Sequence, residues 1–324
     1  MPRPTLYLIP TALLLSACGH DEPFSSGPND ATGPRQPGVP ARLTDNPGLD
    51  VHTSWLPDGS AILYTFETNP AQNSDQCLAL LPKHGGARIR EICNTSAGHI
   101  DSTEVYGPSA VSDSGLLAYV YTQSRPGRPV PSHHQLRVAT LANPQTFTVV
   151  HPIPFSIDGF KIDTVLDIHW LSEQRLVYLG VYGIPNTINN DNIVVLIDLQ
   201  SPTSMSVVPG TMSVTSLAVG SDPDAIVVKG RSDSRVYSLT LSSGDRTVLH
   251  DFAPGFPGNI DVQMPRLVTV VGRTLITVDL TTGLSDTVVG APPAQGLAGP
   301  AVSITGAVVA EGGEDLWLFE APSP

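Results

Sequence analysis

The stretch Trp55-Leu56-Pro57-Asp58-Gly59-Ser60-Ala61-Ile62-Leu63-Tyr64 decides how the rest of the chain is read. Apolar residues run into Pro-Asp-Gly-Ser, and Ile62, Leu63 and Tyr64 follow at once. Proline presets φ, aspartate bonds the backbone just ahead of it, and glycine accepts positive φ. These residues therefore make a hairpin turn between two strands. Looser copies follow. Ala110 and Val111 lead into Asp113-Ser114-Gly115 and an apolar run from Leu116 to Tyr121. Trp170 stands ahead of Leu176-Val177-Tyr178 as Trp55 stands ahead of Ile62-Leu63-Tyr64.

The pattern returns about every 45–55 residues, the length of a four-stranded propeller blade. Blades are expected near 49–93, 105–151, 164–208, 213–250 and 259–289. The sixth shows only three strands, at 301–304, 307–310 and 316–320, and residues 41–44 can supply its fourth. That closure joins the two ends of the body and removes an open sheet edge. The expected fold is all-β: a β-propeller of six four-stranded blades over 41–324, with seven as the competing count. Composition agrees. The 324 residues include 29 Gly and 31 Pro, as many short strands joined by turns require. With 30 acids against 17 bases the net charge is −13, which repels a phosphate backbone and excludes nucleic acid as a natural partner.

Residues 1–18 carry Arg3, an apolar run through Leu13-Leu14-Leu15, then Ser16-Ala17-Cys18. The run is too short to span a bilayer and reads as a secretory signal. Leu15-Ser16-Ala17-Cys18-Gly19 resembles the bacterial lipobox, which implies cleavage before Cys18 and a lipid-anchored protein held to the membrane by its N-terminal lipid alone. Residues 19–40 are Pro, Gly, Ser, Asp and Asn with few apolar side chains, a composition expected of a disordered tether. The expected address is the bacterial cell envelope. It is the outer membrane if there are two, because Gly19 rather than Asp follows the cysteine.

The Trp-Leu-Pro-Asp-Gly-Ser core with Ile62-Leu63-Tyr64 resembles the WD40-like repeat of TolB-type periplasmic propellers, with Leu56 where that repeat usually has serine. The resemblance is specific in one blade, loose in the next two, and limited to period in the rest. It implies the propeller fold and, more weakly, a role in binding envelope proteins.

Cys77 and Cys93 flank the hairpin that turns at His84-Gly85, and an oxidising compartment would let them pair as a disulfide. No G-x-S-x-G elbow, H-E-x-x-H pair, P-loop or G-x-G-x-x-G is present, and no metal or cofactor is expected. A propeller can still collect a site from several blades in its central funnel. There His52, His169, Asp50 and Asp167 are candidate ligands, although each histidine is more often a hydrogen-bonded part of the frame. Trp55 and Trp170 read as wedges between blades. Asn189-Asn190-Asp191-Asn192 reads as a polar loop tip rather than a calcium site.

Loop length is the clearer functional signal. The second-to-third-strand links near 67–75, 122–134 and 183–191 are long, while those near 231–234 and 271–273 are short. Long loops on one face of a rigid scaffold suit protein recognition. In the middle loop Arg125, Arg128, His133 and His134 are the candidate partner contacts. The expected function is an envelope scaffold for a protein partner. The alternatives are a metal-dependent hydrolase or lyase working in the funnel, and a module that binds carbohydrate or another small molecule.

Overall fold

The second strand of each expected blade is apolar at nearly every position, which a strand covered on both faces requires. The structure, a computed structural model, describes residues 40–44, 48–68, 75–93, 103–124, 133–183, 190–200, 204–288 and 296–320. Strand β1 (Ala41–Arg42) comes first. Blade 1 holds β2 (Asp50–Trp55), β3 (Ala61–Glu67), β4 (Gln76–Pro82) and β5 (Arg90–Ile92). Blade 2 holds β6 (Thr103–Val111), β7 (Leu116–Ser124), β8 (His133–Thr140) and β9 (Asn143–Pro152). A single parallel bridge, Gln76 to Val105, links these two blades.

Blade 3 has five strands: β10 (Phe155–Ile157), β11 (Phe160–Ser172), β12 (Arg175–Gly183), β13 (Asn190–Asp198) and β14 (Met205–Val207). Blade 4 holds β15 (Val214–Ala218), β16 (Ala225–Gly230), β17 (Arg235–Thr240) and β18 (Arg246–Asp251). Blade 5 holds β19 (Pro257–Gln263), β20 (Arg266–Val271), β21 (Thr274–Asp279) and β22 (Ser285–Thr287). Blade 6 holds β23 (Leu297–Val302), β24 (Val308–Gly312) and β25 (Asp315–Phe319), and β1 completes it beside β25. The expected closure is therefore present. Ala41 pairs with Leu318 and Arg42 with Trp317, and the Arg42–Asp315 ion pair at 2.8 Å pins the seam.

The core lies between blades. Ile62, Tyr64 and Phe66 pack toward blade 6, while Ala61 and Leu63 pack toward blade 2, so one strand feeds two cores. Among the described residues six such cores join blades 1–2, 2–3, 3–4, 4–5, 5–6 and 6–1 and close the ring. The opening turn forms as its residues dictate. Ser60 donates its amide and hydroxyl to Asp58 Oδ1 at 2.9 and 2.7 Å, and Gly59 sits at φ +68°.

Three expectations change. Asn190, Asp191 and Asn192 open β13, paired with Gly183, Tyr182 and Val181, rather than standing in a loop tip. Blade 3 gains the β10–β11 hairpin at its Asp158-Gly159 turn, both residues at positive φ. The first strand of blade 6 begins at Leu297, not Ala301. Cys77 and Cys93 form the expected disulfide, with Cα atoms 5.1 Å apart.

Candidate functional site

Each innermost strand breaks register with its neighbour at one level of the ring. Pairing skips between Val51 and Ser54, Tyr106 and Ser109, Val165 and Asp167, Val214 and Ser216, Pro257 and Ile260, and Ala298 and Ala301. Such bulges leave residues out of the ladder and turn their groups aside. Glycine or proline stands at or beside the break in three of these strands, as Gly107-Pro108, Pro257-Gly258 and Gly299-Pro300.

A central cavity of about 520 Å³ begins at this belt, where His52, Pro108, Leu166, Ser216, Asn259 and Gly299 line it. Its walls run on to the turns that join first to second strands, at Pro57, Asp113, Glu173, Ser221 and Ile304. The cavity therefore reaches the face of the ring that carries those turns.

Histidines and carboxylates share the cavity wall, where His52 stays exposed. His52 has a left-handed backbone, φ +57°, and its amide donates to Glu311 Oε1 at 2.7 Å. Glu311 belongs to a second strand, β24, and reaches the cavity past Gly299. A Cβ on Gly299 would lie 2.5 Å from Glu311 Oε1, and its φ is +48°. Burial pushes the Glu311 carboxyl up to about 7; the His52 and Thr53 amides pull the other way and the Asp167 charge adds to the rise.

His169 Nε2 lies 3.0 Å from Asp167 Oδ2, an ion pair whose angle falls short of a hydrogen bond. The imidazole is ringed by protein but keeps 24% of its side chain open to the cavity. Burial alone would lower its pKa. The Asp167 and Asp261 charges outweigh that and push it up to about 9. Asp261 accepts the Val302 amide at 2.7 Å and the Val262 amide at 2.8 Å; burial raises its pKa against the pull of His169. Burial lowers His52, with Asp167 opposing.

Of the four sequence-level funnel candidates, His52, Asp167 and His169 line the cavity. Asp50 does not. It is 1% exposed at the start of β2, where its amide donates to Glu314 O and its charge bears on Tyr64 at the seam with blade 6. It precedes the bulge, and the cavity begins after it. Asp261 and Glu311 were missed. Asp261-Val262 repeats the Asp167-Ile168 pattern in an inner strand, and in both the carboxylate accepts the next amide. Glu311 carries no such signal, because Ala-Glu-Gly-Gly reads as the end of an ordinary second strand. Among the described residues no group of three His, Cys, Asp or Glu is placed to hold a metal.

Trp55 and Trp170 line the cavity and also staple blades, as expected of wedges. Trp55 Nε1 donates to Ala301 O of blade 6 at 3.0 Å, and Trp170 Nε1 to Ala110 O of blade 2 at 3.1 Å.

The second strands end, and the third strands begin, on the opposite face. The links between them span 68–75, 125–132 and 184–189 in blades 1–3, against 231–234, 272–273 and 313–314 in blades 4–6. Arg125 and Arg128 fall outside the described residues, as does Cys18. His133 and His134 belong to β8 rather than to a loop tip, because β7 continues to Ser124 and pairs Gln123 with His133 and Thr122 with His134. His133 is exposed; His134 is half-buried, which lowers its pKa. Strand β1 runs antiparallel to β25, so the chain enters the ring at residue 40 on the cavity face, away from the long links.

No family profile and no curated protein sequence matches the chain. Solved structures do. TolB from Acinetobacter baumannii is 12% identical with a TM-score of 0.51, over 83% of this chain and 65% of that one. A chain of a mitotic checkpoint complex is 11% identical with a TM-score of 0.51, over 90% and 94%. The β-propeller domain of the trilobed protease from Pyrococcus furiosus is 12% identical with a TM-score of 0.53, over 84% and 95%. At these identities the likeness carries the fold alone. With the ring of inter-blade cores, it makes this chain a β-propeller.

Proposed function

We propose that the protein is a lipid-anchored propeller of the bacterial cell envelope that binds a protein partner through its long-link face. One observation carries this reading. Three consecutive blades have long second-to-third links on the face away from the point where the chain enters, and the other three have short ones. Closure entropy favours short links, and surface loops on a rigid frame are where recognition residues concentrate. The lipobox-like Leu15–Gly19 stretch supports the anchor, and a solved neighbour that is part of a protein complex supports a protein partner in general. Arg125 and Arg128 would put positive charge on an otherwise acidic surface.

The test uses the full chain expressed in a bacterium. Radiolabelled palmitate should enter the wild type and not Cys18→Ser. Photo-crosslinking from a probe at exposed His133, just outside the 125–132 link, should capture the same envelope protein from the anchored wild type in repeated preparations. A chain with 125–132 replaced by a short Gly-Ser link should lose that product while keeping its melting temperature. Label in Cys18→Ser equal to wild type removes the anchor. A crosslink that survives the replacement removes the loop face.

A further inference from the structure

The opposite face holds a second candidate, independent of the loop reading. Among the described residues the cavity wall contains no lysine or arginine. Asp167, Asp261 and Glu311 stand at depth, and Asp113 and Glu173 near the mouth. Against these five acids stand two histidines, of which only His169 is held in its charged form near neutral pH; burial keeps His52 below its usual range. The acids outnumber this one charged imidazole, and a cleft with such an excess of one sign and low-dielectric walls concentrates ions of the other sign. The wall is apolar toward the mouth at Ile304, which is 54% exposed. Polar capacity is also left over inside. Ser109 is 5% exposed in the cavity wall, and its Oγ has no hydrogen-bond partner among the described residues.

We propose that this cavity is a binding site for an organic cation, an ammonium or guanidinium group carried on a partly apolar body, with Asp167, Asp261 and Glu311 facing the charge. A volume of about 520 Å³ takes a small molecule or one long side chain. A bare metal ion fits less well, since no three candidate ligands converge among the described residues. The indoles of Trp55 and Trp170 line the wall and give an optical report of a ligand's arrival.

The site should weaken as pH falls. Glu311 is faced by the His52 and Thr53 amides on β2, by Gly299 on β23 and by the Asp167 charge from β11, and its carboxyl is pushed up to about 7. Between pH 8 and 6 it takes up a proton and the cavity loses one negative charge. His52 moves the same way, gaining positive charge at lower pH.

The experiment is calorimetric titration of the purified full chain, with tryptophan fluorescence in parallel. The probes are agmatine, the blocked tripeptide acetyl-Gly-Arg-Gly-amide, citrate and manganese chloride. Expected is binding of agmatine, the peptide or both, with no heat from citrate. Binding by agmatine alone identifies a free small cation, and binding by the peptide alone a protein side chain. Affinity should fall at least tenfold in Asp167→Asn or Asp261→Asn, whichever keeps the wild-type melting curve, and severalfold from pH 8 to pH 6. The pH step should shrink in Glu311→Gln to the part that His52 supplies. No binding of either organic cation by the folded wild type overturns the proposal. So does unchanged affinity in both folded Asn variants, or manganese binding with no response to the organic cations.

Discussion

Blades 1–3 and blades 4–6 share one inner ring and differ in how far they extend from it. In the first half the second and third strands have seven to nine residues and their links run over 68–75, 125–132 and 184–189. In the second half the same strands have five or six residues and close through 231–234, 272–273 and 313–314. Yet both halves place charged groups at the floor of one cavity, Asp167 and His169 from blade 3, Asp261 from blade 5 and Glu311 from blade 6. The inner ring needs only short hairpins and a bulge per blade. The added length in blades 1–3 lies on the other face, so closing the ring does not explain it.

The staples between blades test how much the first half depends on tryptophan. Trp170→Ala removes an indole packed on the core between blades 2 and 3 and its bond to Ala110 O, and should cost about 4 kcal/mol. Trp317→Ala is the counterpart. Trp317 Nε1 donates within its own blade, to Gly312 O at 3.1 Å, so the loss should stay at packing on the core between blades 5 and 6, with no inter-blade bond broken. Urea melts of both variants compare the halves. If Trp170→Ala proves the milder change, the inter-blade bonds are not what holds the first half.

The disulfide is a smaller, more local difference. Cys77 and Cys93 are 16 residues apart and hold the three-residue outer strand β5 against β4. In blade 5 the outer strand β22 also has three residues, all exposed, and no disulfide. The Cys77→Ala/Cys93→Ala double variant should lose about 3 kcal/mol by the chain-entropy estimate. Amide exchange on β5 should then rise to the rate on β22. Unchanged protection on β5 would mean that the Arg88 stack over Phe66 and its bond to Tyr64 already suffice there.

Legibility in the sequence follows the length of the interaction. The Trp55–Tyr64 turn was readable because Pro-Asp-Gly acts within four residues. Blade 6 was readable only by period, although its turn Ser303-Ile304-Thr305-Gly306-Ala307 repeats Ser112-Asp113-Ser114-Gly115-Leu116. In both, the first serine carbonyl accepts the glycine amide at 2.8 or 2.9 Å and its Oγ the next amide at 3.1 Å. Asp158-Gly159 between apolar residues is an equally local hairpin signal that the blade spacing passed over. The bulge belt was half visible in Gly107-Pro108 and Gly299-Pro300, residues that weaken a ladder. Glu311 was not visible. Its role depends on Gly299, which belongs to the neighbouring strand, and on His52, 259 positions away.

Because the floor draws on both halves, pH should read the two halves separately. Glu311 is raised from 4.5 to about 7 by burial, so the folded state holds its proton more tightly than the unfolded chain. Its contribution is full below the unfolded value and is lost as pH rises through about 7. His169 is raised from 6.5 to about 9 by Asp167 and Asp261 against the opposing effect of burial, so its contribution is full below 6.5 and is lost as pH rises through about 9. Both act in one direction, against the rise in stability through 6.5 that the lowered His52, His134 and His151 give, so the decline from pH 5 to pH 9 should be read as the difference between wild type and each variant. Glu311→Gln should flatten the lower half of that decline by about 2 kcal/mol, with some of the nominal shift screened by solvent in the cavity. His169→Asn should flatten the upper half. Denaturation midpoints across this range check both, and loss of the whole slope in either single variant would make the floor one coupled unit.

The smallest effect expected on stability is the one that most constrains function. Replacing 125–132 by a four-residue Gly-Ser link gives blade 2 the connection length of blade 4, whose link spans 231–234. Halving a flexible link changes closure entropy by about 0.6 kcal/mol, in the stabilising direction. The melting temperature should therefore hold or rise slightly, because β7 and β8 are already paired up to Gln123 and His133. A loss of several kcal/mol would show that the long links of blades 1–3 pack on the ring and are needed to hold it. Their length would then have a structural cause, and the case for a binding face would fall with it. A neutral result leaves three extended links that the fold does not need, all on the face away from the point where the chain enters.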